Sequence, residues 1–389
     1  MNRSRQQSPL PLNEAAYAPG RNRTCDLALR RRTLYPLSYR RVGLSLPPVK
    51  LNHRTVTLAL REPFSISRST DETVDSVFVE IEHDGLVGYG EASPQEHYGE
   101  SPESASALLT EVEPMLGEDP FALDEIEERL ASLPGEHAAK AAVDMALHDL
   151  CGKAAGVPVW RLLGLRREGP PTSWTIWLGD PDDMARRTEQ VGSRFRRLKL
   201  KLGAGDGLDV ERVRAVRGVT DLPLQVDVNE AWELDEALEN VEALSGLGVQ
   251  YVEQPLRAGH PEGHRLKAAS PLPIYVDEDV HTLKDVAAAA ERARGINIKL
   301  AKSGGIREAM RMAYAAKALE LGVMLGCMVE SSVGIAAAAQ MASLCDHVDL
   351  DGNLLLGEDP WAGVDFVDGV QVPSDQAGLG VHEALSRTG

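Results

Sequence analysis

The chain has 389 residues and a formal charge of −18, and 43% of its residues are hydrophobic. Such a length exceeds what a single core usually supports, so two domains are expected, and no apolar run approaches the roughly 20 residues of a membrane span. The acidic balance disfavours nucleic-acid binding because a negative field repels phosphate. The scattered cysteines lack CxxC spacing and predict neither a zinc site nor disulfides, so we expect a cytoplasmic enzyme acting on a small molecule.

Residues 1–47 differ in composition from the rest of the chain. They contain nine arginines and only two acids, which gives about +7 and leaves about −25 for the remainder. A transit peptide or a nucleic-acid-binding arm would fit the charge, but the stretch lacks an apolar h-region and prolines interrupt any long amphipathic helix. We therefore predict a disordered extension or a misassigned start, with the native chain beginning near Val49–Lys50.

The following segment, residues 48–170, begins with strand-like runs and then turns helical. Val56–Leu60 and Ser76–Ile81 alternate apolar and polar residues as strands do, and Asp84–Gly85 marks a turn. Ala138–Ala155 is rich in alanine and small apolar residues, which predicts a closely packed buried helix. We assign this segment to an α+β capping domain.

From about Pro170 the chain alternates short β-like runs with amphipathic helices, in units of about 25 residues. The predicted strands are Trp174–Leu178, Arg197–Leu202, Leu224–Val228, Val249–Glu253, Ile274–Asp277, Ile296–Ala301, Val323–Met328 and His347–Leu350. Eight such runs predict an α/β fold, a (β/α)8-type barrel over residues 171–370 preceded by the α+β capping domain. Residues 371–389 are expected to return to the capping domain.

Charged residues stand at the carboxyl ends of five successive predicted strands. They are Lys199 and Lys201, then Asp227, Glu253, Asp277 and Lys299. Strand ends of a barrel meet at one mouth, so the three acids should converge there, between lysines on either side. Carboxylate oxygens are the ligands that Mg²⁺ prefers, which predicts one Mg²⁺ per active site.

Each of these residues alone has an ordinary explanation. A single Lys or Asp at a strand end is more often a solvated or ion-paired surface residue. The run LKLKLG, which contains Lys199 and Lys201, is by itself only an alternating strand that places both lysines on one face. The unbroken series of charged strand ends favours a functional site.

Proton abstraction beside a carboxylate needs such a set of residues. Deprotonation gives a doubly charged enediolate, and a divalent cation on the carboxylate offsets that charge. A lysine base must be neutral near pH 7, so its pKa has to fall through desolvation or a neighbouring cation, and Lys199 is such a neighbour for Lys201. Lys201 and Lys299, on opposite sides of the barrel, would address opposite faces of a planar intermediate and so invert the carbon.

From about Lys50 onwards the chain resembles the muconate-lactonising branch of the enolase superfamily, and within it the dipeptide epimerases. The matching motifs are GYGEASP, LKLKLG, DVNEAW, VEQP, VDED and NIKLAKSGGI. The resemblance implies that Lys201 and Lys299 are the acid/base pair and that Asp227, Glu253 and Asp277 hold Mg²⁺.

Two positions within these motifs leave open questions. Lys302 is a rival to Lys299, which we prefer because the Ile-Lys step fills the family's position, with the Ser-Gly-Gly turn at the same distance. The segment VDED departs from the family's usual Ala-Asp-Glu-Ser and places Asp279 at the serine position. The effect of this added negative charge does not follow from the sequence.

Asp349 and Asp351 suggest the substrate. They resemble the Asp-x-Asp motif with which dipeptide epimerases hold the substrate's α-ammonium. Two carboxylates at positions i and i+2 share a face and repel, so they favour a cation between them. A helix N-terminal acid pair or a solvated loop is the alternative, and the position after the eighth barrel strand favours the functional interpretation.

Three further residues are candidates for lining the substrate pocket. Arg68, in the segment Arg61–Ser69, resembles the loop arginine that pairs with an acidic substrate side chain, although a plain surface arginine is an equal alternative. Thr175 lies on the first barrel strand, where Trp177 could also line the pocket or simply pack. Met328 belongs to a segment that resembles the family's seventh strand.

The resemblance implies a dipeptide epimerase acting at the C-terminal residue, such as an L-Ala-D/L-Glu epimerase. The alternatives within the same fold are o-succinylbenzoate synthase, N-succinylamino-acid racemase and muconate cycloisomerase, whose substrates bear no ammonium for Asp349 and Asp351. A silent barrel acting as a binding protein is the non-enzymatic alternative. We expect a homo-oligomer with a dipeptide substrate and without a nucleic-acid or membrane partner.

Overall fold

The computed structural model describes residues 49–384. The segment 1–47, with the predictions made for it, lies outside the described residues. No helix in the described part of the chain is long and apolar enough to cross a membrane.

The first described unit is a three-stranded antiparallel meander covered by helices. Its elements are β1 (Lys50–Ser65), β2 (Thr70–His83), β3 (Leu86–Ala92), α1 (Pro102–Val112), α2 (Leu123–Ala131), α3 (His137–Ala155) and α4 (Val159–Leu162). The buried helix α3 begins one residue before its predicted start, and it lies directly on β3. A Cβ atom at Gly88 or Gly90 would come within about 2 Å of the carbonyl oxygens of Ala146 or Ala142, so the GYG motif permits this close contact.

Eight parallel strands follow in sequence order around a barrel. They are β4 (Trp174–Ile176), β5 (Leu198–Lys201), β6 (Leu224–Asp227), β7 (Val249–Glu253), β8 (Ile274–Val276), β9 (Gly295–Lys299), β10 (Gly322–Gly326) and β11 (His347–Asp349). A bridge between Thr172 and Val348 joins the first and last strands. The predicted (β/α)8 barrel is therefore confirmed.

Helices alternate with these strands on the outside of the barrel. They are α5 (Pro181–Val191), α6 (Asp209–Arg217), α7 (Leu234–Ser245), α8 (Gly263–Ala269), α9 (Leu283–Arg292), α10 (Leu300–Ser303), α11 (Ile306–Ala318) and α12 (Ser332–Ala339). Most strands are one or two residues shorter than predicted. The prediction was wrong at Ala301, which lies in the short helix α10 because β9 already ends at Lys299.

The carboxylate of Glu91, from the GYGEASP motif, ties the capping domain to the barrel. It accepts hydrogen bonds from the backbone N–H groups of Ser331 (2.9 Å) and Gly334 (3.0 Å) at the start of α12, and from the Ser331 hydroxyl at 2.6 Å. Unpaired N–H groups at a helix start favour such an anion. Glu91 therefore fixes the segment after β10 that contains Met328.

The chain after the barrel contacts the first unit again. Its strands are β12 (Trp361–Ala362), β13 (Val364–Val367), β14 (Val370–Pro373) and β15 (His382–Glu383). Trp361 packs between the rings of Phe78 and Tyr89, with centroid distances of 5.5 and 4.9 Å. Arg54 on β1 forms a 2.6 Å ion pair with Glu383. These contacts pack the chain after the barrel against the capping domain.

Candidate active site

The barrel mouth collects the charged strand ends that the sequence indicated. Lys199 and Lys201 lie on β5, Asp227 ends β6, Glu253 ends β7, Asp277 follows β8 and Lys299 ends β9. All six side chains are buried. Strands β5 and β9 lie four positions apart in the eight-stranded barrel, so their lysines approach from opposite sides and the acids lie between them.

Lys199 is the most thoroughly paired cation of this cluster. Its Nζ lies 3.0 Å from Asp227 Oδ2, 2.9 Å from Glu253 Oε2 and 2.8 Å from Asp349 Oδ2. Burial lowers the pKa of Lys199, but the surrounding carboxylates raise it well above the usual value. Lys199 therefore remains charged and connects the acids of β6 and β7 to the Asp-x-Asp segment.

Lys201 points to the same centre from its position two residues later. Its Nζ donates to Asp227 Oδ2 at 2.7 Å and to the side-chain oxygen of Asn229 at 3.1 Å. Burial and two lysines act in opposite directions on the pKa of Asp227, and the pull of Lys199 and Lys201 wins, so the pKa is lowered. Asp227 is consequently a carboxylate at neutral pH.

On the opposite side, Lys299 and Lys302 both approach Asp277. Lys299 Nζ lies 2.8 Å from Asp277 Oδ2, and Lys302 Nζ contacts Asp277 Oδ1. Although burial raises the pKa of Asp277, the two ammonium groups lower it further. Burial also lowers the pKa of Lys299, but Asp277 more than offsets this and the net shift is upwards.

The carboxylates provide oxygens that suit a divalent cation. Oε2 of Glu253 and Oδ2 of Asp277 are buried and make no hydrogen bond of normal geometry, although an ammonium group lies within 2.9 Å of each. Burial and the charge of Asp227 raise the pKa of Glu253 to about 7, against the opposite effect of Lys199. The donor set of three buried carboxylates fits Mg²⁺.

The Asp-x-Asp segment lies at the end of β11, beside the same lysine. Asp349 accepts hydrogen bonds from the Ser173 hydroxyl and from Lys199, whereas Asp351 Oδ2 accepts from the backbone N–H of Thr175 at 2.7 Å. Within the described residues Asp351 makes no ion pair. Burial and the charge of Asp349 raise the pKa of Asp351 to about 7.

Arg68 lies at the entrance of the mouth, where acids of the barrel surround it. Its Nη1 is 2.9 Å from Glu278 Oε1 and 3.9 Å from Glu230 Oε2, and His97 Nε2 lies 2.9 Å from the same Glu230 oxygen. Ser67 donates to the carbonyl of Asn229 at 3.1 Å. The loop between β1 and β2 is thus held over the mouth by polar contacts that a substrate could replace.

The remaining predicted residues divide into two groups. Thr175 is buried beside Asp351, and the sulfur of Met328 lies 4.0 Å from Lys299 Nζ, so both adjoin the cluster. Trp177 stacks against Arg187 and lines a neighbouring cavity of about 270 Å³. Asp279 points elsewhere, accepting from Arg292, from Gln254 and from the backbone of Gly259 at 2.8 to 2.9 Å.

Three further polar residues of the family motifs, to which the sequence assigned no role, contact the cluster or its neighbours. Asn297 donates to Glu253 Oε1 at 2.7 Å, and Gln254 accepts from the backbone N–H groups of Asp277 and Glu278 at 2.7 and 3.0 Å. The third, Glu278, pairs with Arg68. Asn297 stands two residues before Lys299, so the alternation of β9 already placed both on one face.

A (β/α)8 barrel whose mouth holds three carboxylates between opposed lysines, beneath an α+β cap, has the architecture of enolase-type enzymes. Residues 49–164 match the family model described as the mandelate racemase / muconate lactonizing enzyme N-terminal domain, and residues 183–383 match the enolase C-terminal domain-like model. The chain belongs to this branch of the enolase superfamily, and the resemblance found in the sequence is confirmed.

Relatives and solved structures in this family are similar over most of the chain. The L-Ala-D/L-Glu epimerase of Bacteroides thetaiotaomicron is 41% identical, over 86% of this chain and 88% of its own. The Enterococcus faecalis V583 dipeptide epimerase, solved with Mg and L-Leu-L-Tyr, has a TM-score of 0.82 and 32% identity, covering 87% of this chain and 100% of its own. The substrate-liganded L-Ala-D/L-Glu epimerase of Bacillus subtilis has a TM-score of 0.84 and 30% identity, covering 88% and 100%.

Proposed function

We propose that this chain is a Mg²⁺-dependent dipeptide epimerase that inverts the α-carbon of the C-terminal residue. The observation that carries the proposal is the combination of two half-sites in one mouth. Three buried carboxylates lie between opposed lysines, and next to them Asp351 makes no ion pair with any residue that the structure describes. The dipeptide epimerases among the relatives support this proposal.

Asp227, Glu253 and Asp277 would hold the metal. When bound, Mg²⁺ supplies positive charge that offsets the second negative charge of an enediolate. Lys199, Lys201 and Lys299 contact oxygens of these carboxylates and offset part of their negative charge. Asp277 raises the pKa of Lys299 and so favours its charged form. A metal cation that shared the charge of Asp277 would weaken this effect, and Lys299 could then lose its proton and act as a base.

Lys201 and Lys299 would move the proton. One neutral lysine removes the α-proton, whose bonding electron pair passes into the substrate's carboxylate as an enediolate. The opposite lysine, which is protonated, then delivers its proton to the other face, so one C–H bond breaks and another forms with inversion. The reverse reaction exchanges the two roles, and Lys199 remains charged throughout.

Asp349 and Asp351 would bind the ammonium group at the other end of the substrate. Only the C-terminal residue of a dipeptide has an α-carbon next to a free carboxylate, so this arrangement places that carbon between the lysines. We propose that Thr175 and Met328 line the pocket. Arg68 would exchange Glu278 for an acidic substrate side chain, which favours L-Ala-D/L-Glu or a related dipeptide.

The alternative activities within the same fold do not explain the buried acid Asp351. Substrates of o-succinylbenzoate synthase, N-succinylamino-acid racemase and muconate cycloisomerase bear no ammonium, and they would leave Asp351 buried without a cation. A silent barrel would not need opposed lysines around three buried carboxylates, which are costly to bury without function.

A dipeptide library incubated in deuterated water with Mg²⁺ tests the proposal directly. Substrates should exchange the α-hydrogen of the C-terminal residue for deuterium and yield the epimer. N-succinylamino acids, tested in parallel under the same conditions, should exchange far more slowly. Exchange of the N-succinyl compounds but not of any dipeptide would overturn the assignment in favour of an N-acylamino-acid racemase.

A further inference from the structure

Each proposed metal ligand has one oxygen that a protein donor holds. Asp227 Oδ1 accepts from the backbone N–H of Asn229 at 3.0 Å, Glu253 Oε1 from Asn297 Nδ2 at 2.7 Å, and Asp277 Oδ1 from Lys302 Nζ. The second oxygen of each carboxylate instead faces Lys199, Lys201 or Lys299. The three carboxylates are therefore oriented in the same way, with one fixed oxygen and one directed to the centre.

Within the described residues, the side chain of Asn297 makes one hydrogen bond. The residue is fully buried on β9, and its Nδ2 donates to Glu253, which lies two strands away. Its Oδ1 has no hydrogen-bond partner among the described residues and lies against Gly326, where a Cβ atom would come within 2.6 Å. A buried amide with an unpaired oxygen costs stability, so the contact with Glu253 has to explain its presence.

Lys302 is saturated with acceptors. Its Nζ, on a side chain that is 2% exposed, contacts Asp277 Oδ1 and the backbone oxygens of Asp277, Val280 (3.1 Å) and Asn297 (3.3 Å). An ammonium group has three N–H donors, so none is left for a substrate. Lys299, by contrast, contacts two groups in the described part of the chain, the carboxylate of Asp277 and the sulfur of Met328.

We infer that Asn297 and Lys302 are positioning residues that orient Glu253 and Asp277 towards the metal, and that Lys302 takes no part in proton transfer. The inference rests on the proposed function. Groups that hold ligand carboxylates in place typically contribute 10- to 100-fold to metal affinity. One segment, NIKLAK, therefore supplies the proton-transfer residue Lys299 and both residues that position the ligands on its side of the barrel.

Metal affinity tests this role separately from turnover. Mn²⁺, an electron-spin-resonance probe that substitutes for Mg²⁺, can be titrated into the wild type and into Asn297→Leu, which keeps the side-chain volume but removes the donor. Binding should weaken by about 10- to 100-fold. The matched control is Ile298→Val on the same strand, whose side chain is equally buried but lies in the hydrophobic core; its Mn²⁺ affinity should not change.

The role of Lys302 is tested by the stereochemistry of exchange. Lys302→Met should lower deuterium exchange of both epimers by the same factor, and high Mg²⁺ should restore part of it. Lys299→Ala should instead abolish exchange from one epimer only. One-sided loss in Lys302→Met would transfer the proton-transfer role to Lys302 and overturn the inference.

The outcomes separate this inference from the proposed function. If the wild type turns over dipeptides with Mg²⁺ but a folded Asn297→Leu binds Mn²⁺ as tightly as the wild type, the positioning role is wrong and the function stands. If the wild type binds no metal and epimerises no dipeptide, the proposed function itself fails. Should Lys302→Met not fold, Asn297→Leu and its control still decide the role of Asn297, and one-sided loss of exchange in Lys299→Ala still assigns that proton transfer to Lys299, whereas undiminished exchange from both epimers in Lys299→Ala would overturn the exclusion of Lys302.

Discussion

The barrel mouth contains two carboxylate clusters with opposite electrostatic balances. Around Asp227, Glu253 and Asp277, four lysine ammonium groups lie within 3.0 Å of carboxylate oxygens, so cations are abundant. Among residues 49–384, the cation that pairs with Asp349 is Lys199, which the first cluster shares, and Asp351 accepts a hydrogen bond from the backbone N–H of Thr175 but makes no ion pair.

This difference indicates what each cluster lacks. The first cluster has an ammonium group beside each of its three carboxylates, and two of its oxygens have no normal hydrogen bond. The second cluster has one shared ammonium group for two buried carboxylates, and the shortage of positive charge is costly in a buried site. One cluster is therefore suited to a metal ion, whereas the other is suited to a substrate cation.

Removing the metal should have the largest effect on epimerisation. It tests the first cluster without changing the second. Excess chelator should abolish epimerisation, since Mg²⁺ supplies the divalent charge that offsets the enediolate, and added Mg²⁺ should restore the rate. Measuring turnover with and without chelator, with the metal content determined independently, checks this expectation. Full activity in metal-free protein would show that the three carboxylates have another purpose.

Replacing either opposed lysine should have the next largest effect. Lys299→Ala and Lys201→Ala should each lose epimerisation by about 10²- to 10⁴-fold, the usual contribution of a positioned acid or base. Each variant should retain α-proton exchange from the one epimer that presents its hydrogen to the remaining lysine. Exchange followed by mass spectrometry for both epimers is the measurement, and comparable epimerisation in both variants would contradict the two-base assignment.

The first cluster could be predicted from the sequence because it depends on local rules. Alternation in LKLKLG places Lys199 and Lys201 on one face, and the spacing of the βα units brings Asp227 and Glu253 to the same edge. Because neighbouring strands of the barrel follow one another in sequence, the charged residues have the same order around the barrel as along the chain. The barrel and the positions of these charged strand ends follow from periodicity, whereas the resemblance to the family implied their roles as metal ligands and bases.

The partners within the clusters could not be predicted in this way. Asn297 reaches Glu253 across an intervening strand, and Arg68 pairs with Glu278 at a distance of 210 residues in sequence. Such contacts depend on the stagger of the closed barrel and on the path of a loop, neither of which a strand pattern specifies. Lys302 is an example, because the acceptors around its ammonium group in the folded protein, and not the sequence pattern, distinguish it from Lys299.

Removing the positive charge of the substrate's ammonium group, which tests the second cluster, should lower the efficiency by a smaller factor. An N-acetylated dipeptide leaves Asp351 without a cation, and charge-assisted hydrogen bonds contribute roughly 1.5 to 3 kcal/mol each. The value of kcat/KM should therefore fall by at least about 100-fold relative to the free dipeptide. Replacing both Asp349 and Asp351 with Asn should reduce the advantage in kcat/KM that the free dipeptide has over the acetylated one. Equal efficiency of the acetylated and free dipeptides in the wild type would exclude the ammonium role.

The smallest effect concerns the stability of the substrate-free protein. Burial raises the pKa of Asp351 to about 7, above the usual value of 3.8. Between these values the folded state binds a proton that the unfolded state has released, so unfolding free energy falls as pH rises from about 4 to 7. The penalty is fully present above pH 7, is absent below pH 4, and amounts to ~4 kcal/mol at most.

Asp351→Asn removes the titrating group but keeps its shape, so it should melt at a higher temperature than the wild type at pH 8. The advantage should shrink as the pH falls towards 4 and vanish well below the usual pKa of 3.8, where the wild-type carboxyl is protonated in both states. Asp183→Asn, an exposed acid paired with Arg186, is the matched control and should show no such gain. Substrate should reverse the order at pH 8, because the dipeptide ammonium stabilises only the protein that carries the carboxylate. A melting temperature of Asp351→Asn that is equal to or below that of the wild type at pH 8 would mean that Asp351 already has its counter-charge, and the distinction between the two clusters would fail.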